Sequence, residues 1–394
     1  MKKNSYLIII IVMFILLTSS FSSKSINIKR TSFSFTPEDM HLEDDAFHSS
    51  DDFNYLEWWY FDAFFDNGYS AQAAITIIGL IKVKTAVITI NIYKDGEEII
   101  DEIRYYPITD ISASEPVIKL DDKQLLIGYL DKKTNQNIFN LSLKAGDVEL
   151  NLKFISNTKG WQGKTPVSLW GVMLPESEVT GNIKFKGQEI QVDGHGYHDH
   201  NWHFSLETFL NTGWYWGKLN SEKYTVVWSN ILDFSEDEPI LVINEENKGY
   251  ISIPQEEIQF IKSNFSNNNG VKIPETLEIK VDNSEIYLYV KLEKIHTHYF
   301  TIVDIMKYWR YYMNCTGIIR INGNEEEINQ KNFAEYLRLI SSVLKGHPPA
   351  RFNGLLKCLL AQTGTSYKPI FSNLFSSFKR GLSDFVPHFL HLKP

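Results

Sequence analysis

Two cysteines, Cys315 and Cys358, are all that 394 residues contain. That excludes a disulfide-stapled framework and leaves one bridge between them, or two buried thiols, as the alternatives. No phosphate loop, no dinucleotide fingerprint and no G-x-S-x-G elbow occurs, and Ser205 and Ser229 lack a nucleophile context. No cofactor is therefore expected. An excess of positive charge is also missing: the formal net charge is −9, which argues against a general nucleic-acid binder. The shortage is uneven. From Lys331 onward nine basic residues face only Glu335 and Asp384, so this tail is cationic and the body strongly anionic.

What the chain does have is aromatic and β-branched residues, with 43% hydrophobic and 14% aromatic content, enough for a substantial core. Its length suggests about two domains. Residues 1–23 read as a secretory signal, or as an uncleaved N-terminal anchor. A Lys2-Lys3 start precedes an apolar run from Tyr6 to Leu17 and a small, polar stretch to Ser23. Either reading puts the body outside the cytoplasm, secreted or anchored to the outer face of the membrane. Residues 24–52 read as an extended segment. Asn140, Asn264 and Asn314 head N-x-[ST] sequons.

From Phe53 to Asn324 the pattern is that of antiparallel β structure. Runs such as Ala73 to Ile78 and Ala86 to Tyr93 alternate with turn signals, including Lys94-Asp95-Gly96, Lys186-Gly187 and Asn322-Gly323. Repeated hairpins without helices predict barrels or sandwiches. Lys331 to Lys345 carries apolar residues at helical spacing (Phe333, Leu337, Ile340, Leu344) and predicts a helix ended by Gly346. Residues 352–362 and 371–386 predict two more. The last has an aromatic face with Lys379 and Arg380, which suits either docking on the body or contact with an anionic membrane surface.

Two segments mix bulky aromatics with ionisable groups: Leu56-Glu57-Trp58-Trp59-Tyr60-Phe61-Asp62 and Gly194-His195-Gly196-Tyr197-His198-Asp199-His200-Asn201-Trp202. Buried carboxylates and imidazoles need partners, so segments of this kind tend to line a pocket where an apolar ligand meets polar chemistry. As strands, they would put Glu57, Trp59 and Phe61 on one face and Trp58, Tyr60 and Asp62 on the other. Likewise His198, His200 and Trp202 would oppose Tyr197, Asp199 and Asn201. An imidazole moves protons near neutral pH, a carboxyl walled by tryptophan has its pKa raised, and aromatic faces stabilise a carbocation. That combination suits hydration or isomerisation of an apolar alkene. The plainer reading makes Glu57, Asp62, Asp199 and Asn201 buried hydrogen-bond anchors between two β units. A zinc site from His198, His200, His296 and His298 is a further alternative to the expectation of no metal.

These two segments resemble the carotenoid hydratase family (hydroxyneurosporene synthase, CrtC-like or AttH-like), which pairs E-W-W-Y-F-D with Y-H-D-H-N-W-G; the final Gly is His203 here. Tyr308-Trp309-Arg310 through Gly317 resembles the family's closing region. The resemblance, which covers about Phe53 to Asn324, implies an all-β fold of two lipocalin-like antiparallel barrels packed together, at 53–206 and 207–328; the spacing and charge beyond add a basic helical tail at 329–394. The resemblance also implies that His200 and Trp202 line the site; they are expected to be catalytic, with Asp62, Asp199 and Glu57 beside them as proton-handling groups by the reading of the residues above. Trp58, Trp59, Tyr60, Tyr197, His198, Asn201 and Trp228 would line the pocket. The family's Y-x-D acid has Trp228-Ser229-Asn230 as its counterpart, without a carboxylate. The expected function is an exported, cofactor-independent enzyme acting on an isoprenoid-like or polyene small molecule by hydration, isomerisation or cyclisation. The alternative is a lipocalin-like lipid carrier or envelope structural protein. The expected partners are an apolar ligand and, through the tail, a membrane surface; nucleic acid is not among them.

Overall fold

The computed structural model describes residues 34–339, apart from 49–53, 81–82, 108–109, 113, 121–122, 205–212, 233–236, 247 and 303–305. The signal or anchor segment, Cys358 and the two helices predicted beyond residue 350 lie outside the described residues. Among the described residues the chain is β-strand with two short 3-10 turns, η1 (Leu42–Asp45) and η2 (Gln255–Glu257).

The first sheet opens with β1 (Glu38–Asp39), β2 (Asn54–Phe65), β3 (Tyr69–Leu80), β4 (Val83–Lys94) and β5 (Glu97–Pro107). It continues through β6 (Asp110–Ile111), β7 (Val117–Leu120), β8 (Lys123–Asp131), β9 (Gln136–Ala145) and β10 (Val148–Ser156). It ends with β11 (Trp161–Lys164), β12 (Leu169–Phe185) and β13 (Gln188–Phe204). The second sheet takes β14 (Gly213–Asn220), β15 (Tyr224–Leu232), β16 (Asp237–Glu245), β17 (Gly249–Ser252) and β18 (Gln259–Asn268). Its remaining strands are β19 (Val271–Asp282), β20 (Ile286–Ile302), β21 (Met306–Ile321) and β22 (Asn324–Leu339).

Each sheet is antiparallel throughout. The first runs β5-β4-β3-β2-β13-β12-β10-β9-β8-β7-β6 and curls until β4 and β5 approach β9, nearly closing a barrel. The second runs β17-β16-β15-β14-β22-β21-β20-β19-β18. Alternation drives both: β10 buries every second residue from Val148 to Phe154, one face inward and one outward. The predicted turns fall where expected. Asp95 and Gly96 both have positive φ (52° and 86°), as do Lys186-Gly187 and Asn322-Gly323, the pairing a two-residue hairpin turn requires.

Among the described residues three large apolar cores result, beside a small cluster of Tyr93, Tyr312 and Phe333. One fills the first sheet, around Trp59, Phe61, Phe139 and Phe154. Another fills the second, around Trp228, Trp309 and Tyr311. The third lies between them, where Tyr60, Trp170 and Tyr197 of the first sheet meet Trp216, Val227 and Tyr308 of the second. Strands at this seam are covered on both faces, so β15 is buried along its whole length.

One expectation is overturned. Residues 331–339 are strand, not helix: β22 runs to Leu339 and pairs with β21 and β14. The second sheet therefore passes the 328 boundary at which the basic helical tail was expected to begin. The error has a physical source. A spacing of four, as in Phe333 and Leu337, fits both a helix and a strand. Alternation is hidden because Ala334 and Tyr336 face the second core while Phe333 and Leu337 face the seam, and all four are buried.

Candidate functional site

The two aromatic and ionisable segments are neighbouring strands. β2 and β13 pair antiparallel with Tyr197 opposite Asp62, Asp199 opposite Tyr60, and His200 opposite Trp59. The motif glycines allow this approach. A Cβ on Gly194 would stand 2.1 Å from the Phe64 carbonyl oxygen, and one on Gly196 would meet Val179, Phe154 and Asp62 within 2.8 Å. The pairing splits the predicted site residues into two groups on opposite faces.

The inward group comprises Glu57, Trp59, His198, His200 and Trp202, joined by Asp45 from η1 and by His48. His198 donates through Nδ1 to the Tyr60 carbonyl at 2.9 Å, while its Nε2 lies 3.1 Å from Asp45 Oδ2. His200 Nε2 lies 2.7 Å from Glu57 Oε1, and its Nδ1 lies 3.3 Å from Asp45 Oδ1. Burial opposes charge on His200, but Asp45 and Glu57 hold its pKa up to about 9. Burial alone would raise the Asp45 carboxyl; the two imidazoles keep it below the ordinary carboxylate value. His48 lies at the rim, its backbone N–H donating to Glu57 Oε1 at 3.0 Å and its Nδ1 3.3 Å from the same oxygen. Ring stacking fixes the imidazoles: His200 on Trp59 at 4.3 Å and His48 on Trp202 at 4.3 Å.

The outward group, Trp58, Tyr60, Asp62, Tyr197, Asp199 and Asn201, faces the second sheet. Asp62 is paired across the seam with Lys218 of β14, Oδ1 to Nζ 2.5 Å. Tyr60 donates to Asp62 Oδ2 at 3.2 Å and reaches Glu335 of β22 at 3.5 Å. Glu335 also accepts from Tyr308, and from Arg310 Nε at 3.1 Å. Burial raises the Glu335 carboxyl above its ordinary value despite Arg310 beside it.

Asp199 differs from these paired groups. It accepts from Tyr197 at 2.9 Å, from Trp170 Nε1 at 3.2 Å and more weakly from Asn201. Among the described residues no lysine, arginine or histidine forms an ion pair with it. Burial pushes its carboxyl up to about 7, against those hydrogen bonds; Glu335 and Asp62 add repulsion. Around it the rings of Tyr60, Tyr197 and Trp216 pack edge-on or tilted, and Trp58 stacks loosely on Trp214.

Not all predicted residues converge. Trp228 is in the interior of the second sheet, packed on Phe260, away from both groups. His298 of β20 contacts Tyr93 and Glu98, and His296 lies near Tyr312, so the four-histidine zinc set does not assemble. Two other sets bring three ligand atoms within 4.8 Å of one another: His48, Glu57 and His200, and the more exposed Glu98, Asp101 and His298. Asp45, His48, Lys218 and Glu335 were missed from sequence. A lysine inside the run Trp214-Tyr215-Trp216-Gly217-Lys218 is the one signal that pointed to a buried partner.

The arrangement defines a two-sheet, lipocalin-like β protein with a seam of buried carboxyl, lysine and arginine side chains between its halves. In sequence the chain matches no family model and no curated protein. In structure it is similar to a protein described as AttH from Nitrosomonas europaea, with a TM-score of 0.53 and 13% identity over 77% of this chain and 98% of that one. It is similar also to CghA solved with Sch210972, with a TM-score of 0.52 and 10% identity over 73% of this chain and 89% of that one. Kievitone hydratase from Nectria haematococca matches more loosely, with a TM-score of 0.46 and 11% identity over 72% and 88%. At these identities the likeness to the first two establishes a shared fold.

Proposed function

We propose that this protein is an exported enzyme that protonates a carbon–carbon double bond of an isoprenoid-like or polyene molecule, with Asp199 as the acid. The observation that carries this reading is the setting of Asp199. It is a buried carboxyl without a cationic partner among the described residues, oriented by Tyr197 and Trp170, in a seam walled by indole and phenol rings. A carboxyl that stays neutral near pH 7 can give its proton to one alkene carbon, the π pair forming the new C–H bond. The adjacent carbon becomes cationic and is stabilised by ring faces such as those of Trp216 and Tyr60. Addition of water, which gives up a proton to the Asp199 carboxylate, then gives hydration. Return of a neighbouring C–H proton to Asp199 gives isomerisation, and attack by a second double bond, followed by loss of a proton from the new cation to Asp199, gives cyclisation. His200 and Trp202 shape the opposite face of the same strand. The fold accommodates a ligand in CghA, which has been solved with Sch210972. The export part of the reading is supported by the basic and apolar pattern of residues 1–23, and the aromatic, basic stretch 371–386 suits either docking on the body or contact with an anionic membrane.

The test uses deuterated water. Full-length protein incubated with a host lipid extract should transfer deuterium to carbon in at least one lipid, detected by mass spectrometry, and Asp199→Asn should abolish it. Lipid retained by the parent without deuterium transfer or mass change would replace this reading with the carrier.

A further inference from the structure

We propose that His48, Glu57 and His200 form a binding site for one zinc-class divalent cation, independent of the seam chemistry on the other face of β13. The ligand atoms are already gathered. Glu57 Oε1 stands 3.3 Å from His48 Nδ1 and 2.7 Å from His200 Nε2, and all three atoms lie within 4.8 Å of one another. Ligands held at about 2.0–2.1 Å in a tetrahedral site are separated by about 3.3 Å, so only small side-chain movements are needed to admit the ion. Two imidazoles and one carboxylate are a donor set that favours zinc and its neighbours over calcium or magnesium.

A second observation points the same way. Glu57 is fully buried, yet its Oε2 has no hydrogen-bond partner. Asp45 Oδ1 and His200 Nδ1 likewise face each other at 3.3 Å without a formed hydrogen bond. An orphaned buried carboxylate oxygen is costly, and a cation on Glu57 offsets that cost. Asp45 behind the His200 ring occupies the position of the carboxylate that orients a metal-bound imidazole. The Trp59 and Trp202 stacks hold both rings in place before any ion arrives. The rival set of Glu98, Asp101 and His298 lacks this character: it is more exposed and has no orphaned buried oxygen like Glu57 Oε2. The ion would act as a clip. It joins the segment that carries η1 and His48 to β2 and β13, which carry Glu57 and His200.

The test is metal binding, read without reference to turnover. Full-length protein stripped with a chelator is titrated with Zn²⁺ and Co²⁺. The expected result is one ion per chain and a visible ligand-field absorption for cobalt. Zinc X-ray absorption on the unmodified protein should show two imidazoles at about 2.0–2.1 Å. Asp45→Asn should weaken binding by about 10–100-fold, and His48→Ala by more. No stoichiometric binding by the unmodified protein, a zinc spectrum without imidazole, or a folded His48→Ala chain that binds as tightly as the parent would each overturn the proposal. The spectrum decides the matter even where a variant does not fold.

Discussion

Replacing Asp199 by Asn separates the electrostatics of this carboxyl from its shape. In the folded chain its pKa is lifted from 3.8 to about 7. A tenfold change in proton affinity is worth about 1.4 kcal/mol, so the ionised carboxylate costs the fold about 4 kcal/mol. The sign follows from proton binding. Between the two pKa values the folded state holds more protons than the unfolded one, so stability falls as pH rises. The penalty is absent below about pH 4, grows through the acid range and is complete above about pH 7. Asparagine never ionises and still offers a carbonyl oxygen to Tyr197 and Trp170, while Asn201 can turn its amide to accept from the new NH₂ group. At pH 8 the variant should therefore be the more stable protein, by up to about 4 kcal/mol, although it has lost the proposed acid. The advantage should shrink steadily and vanish near pH 4. Urea unfolding of chelator-treated parent and variant across pH 4–8 measures it, since the difference cancels every other titrating group. A difference that stays constant with pH, or a variant less stable at pH 8, would refute the assignment of a neutral carboxyl in the seam.

Lys218→Met should destabilise by about 3–5 kcal/mol, because it strands Asp62 inside the seam; adding Asp62→Leu should recover most of the loss, as read by thermal unfolding. Gly194→Ala should cost about 1–3 kcal/mol, since a Cβ there meets the Phe64 carbonyl at 2.1 Å and pushes β13 from β2. An alanine that leaves the melting temperature unchanged would show that the strands do not run this close. Deuterium transfer by the parent should fall as pH rises through about 7, as the Asp199 proton is lost, and a flat profile from pH 5 to 9 would count against Asp199 as donor.

Much of the fold was legible because its signals are local. Hairpin pairs such as Asp95-Gly96 need only neighbouring residues to be read, and their positive φ values follow. The division of the two motifs into faces was legible too, since alternation along a strand follows from backbone geometry alone. What escaped depended on distant partners. β22 looked helical because both its faces are covered, by strands that nothing in its own sequence announces. Lys218, Arg310 and Glu335 are ordinary charged residues until the seam brings them to Asp62 and Tyr60. Asp45 and His48 sit in a stretch read as merely extended, and only η1 turns Asp45 toward the two histidines.

Tyr60 and Glu335, which approach across the seam, stand 275 positions apart in the chain. The first sheet has all its strands once residue 204 has been made, whereas the second waits for β22 to slot between β14 and β21. Chain connectivity thus imposes an order of assembly. Until the last strand arrives, Tyr60 and Asp62 have no complete set of partners, and the aromatic wall of the first sheet faces water. Contacts this distant in sequence form slowly and leave apolar surface open to aggregation meanwhile. A product that stops short of β22 is therefore not a smaller version of this protein but a different, stickier molecule, and the seam is complete only once β22 is in place.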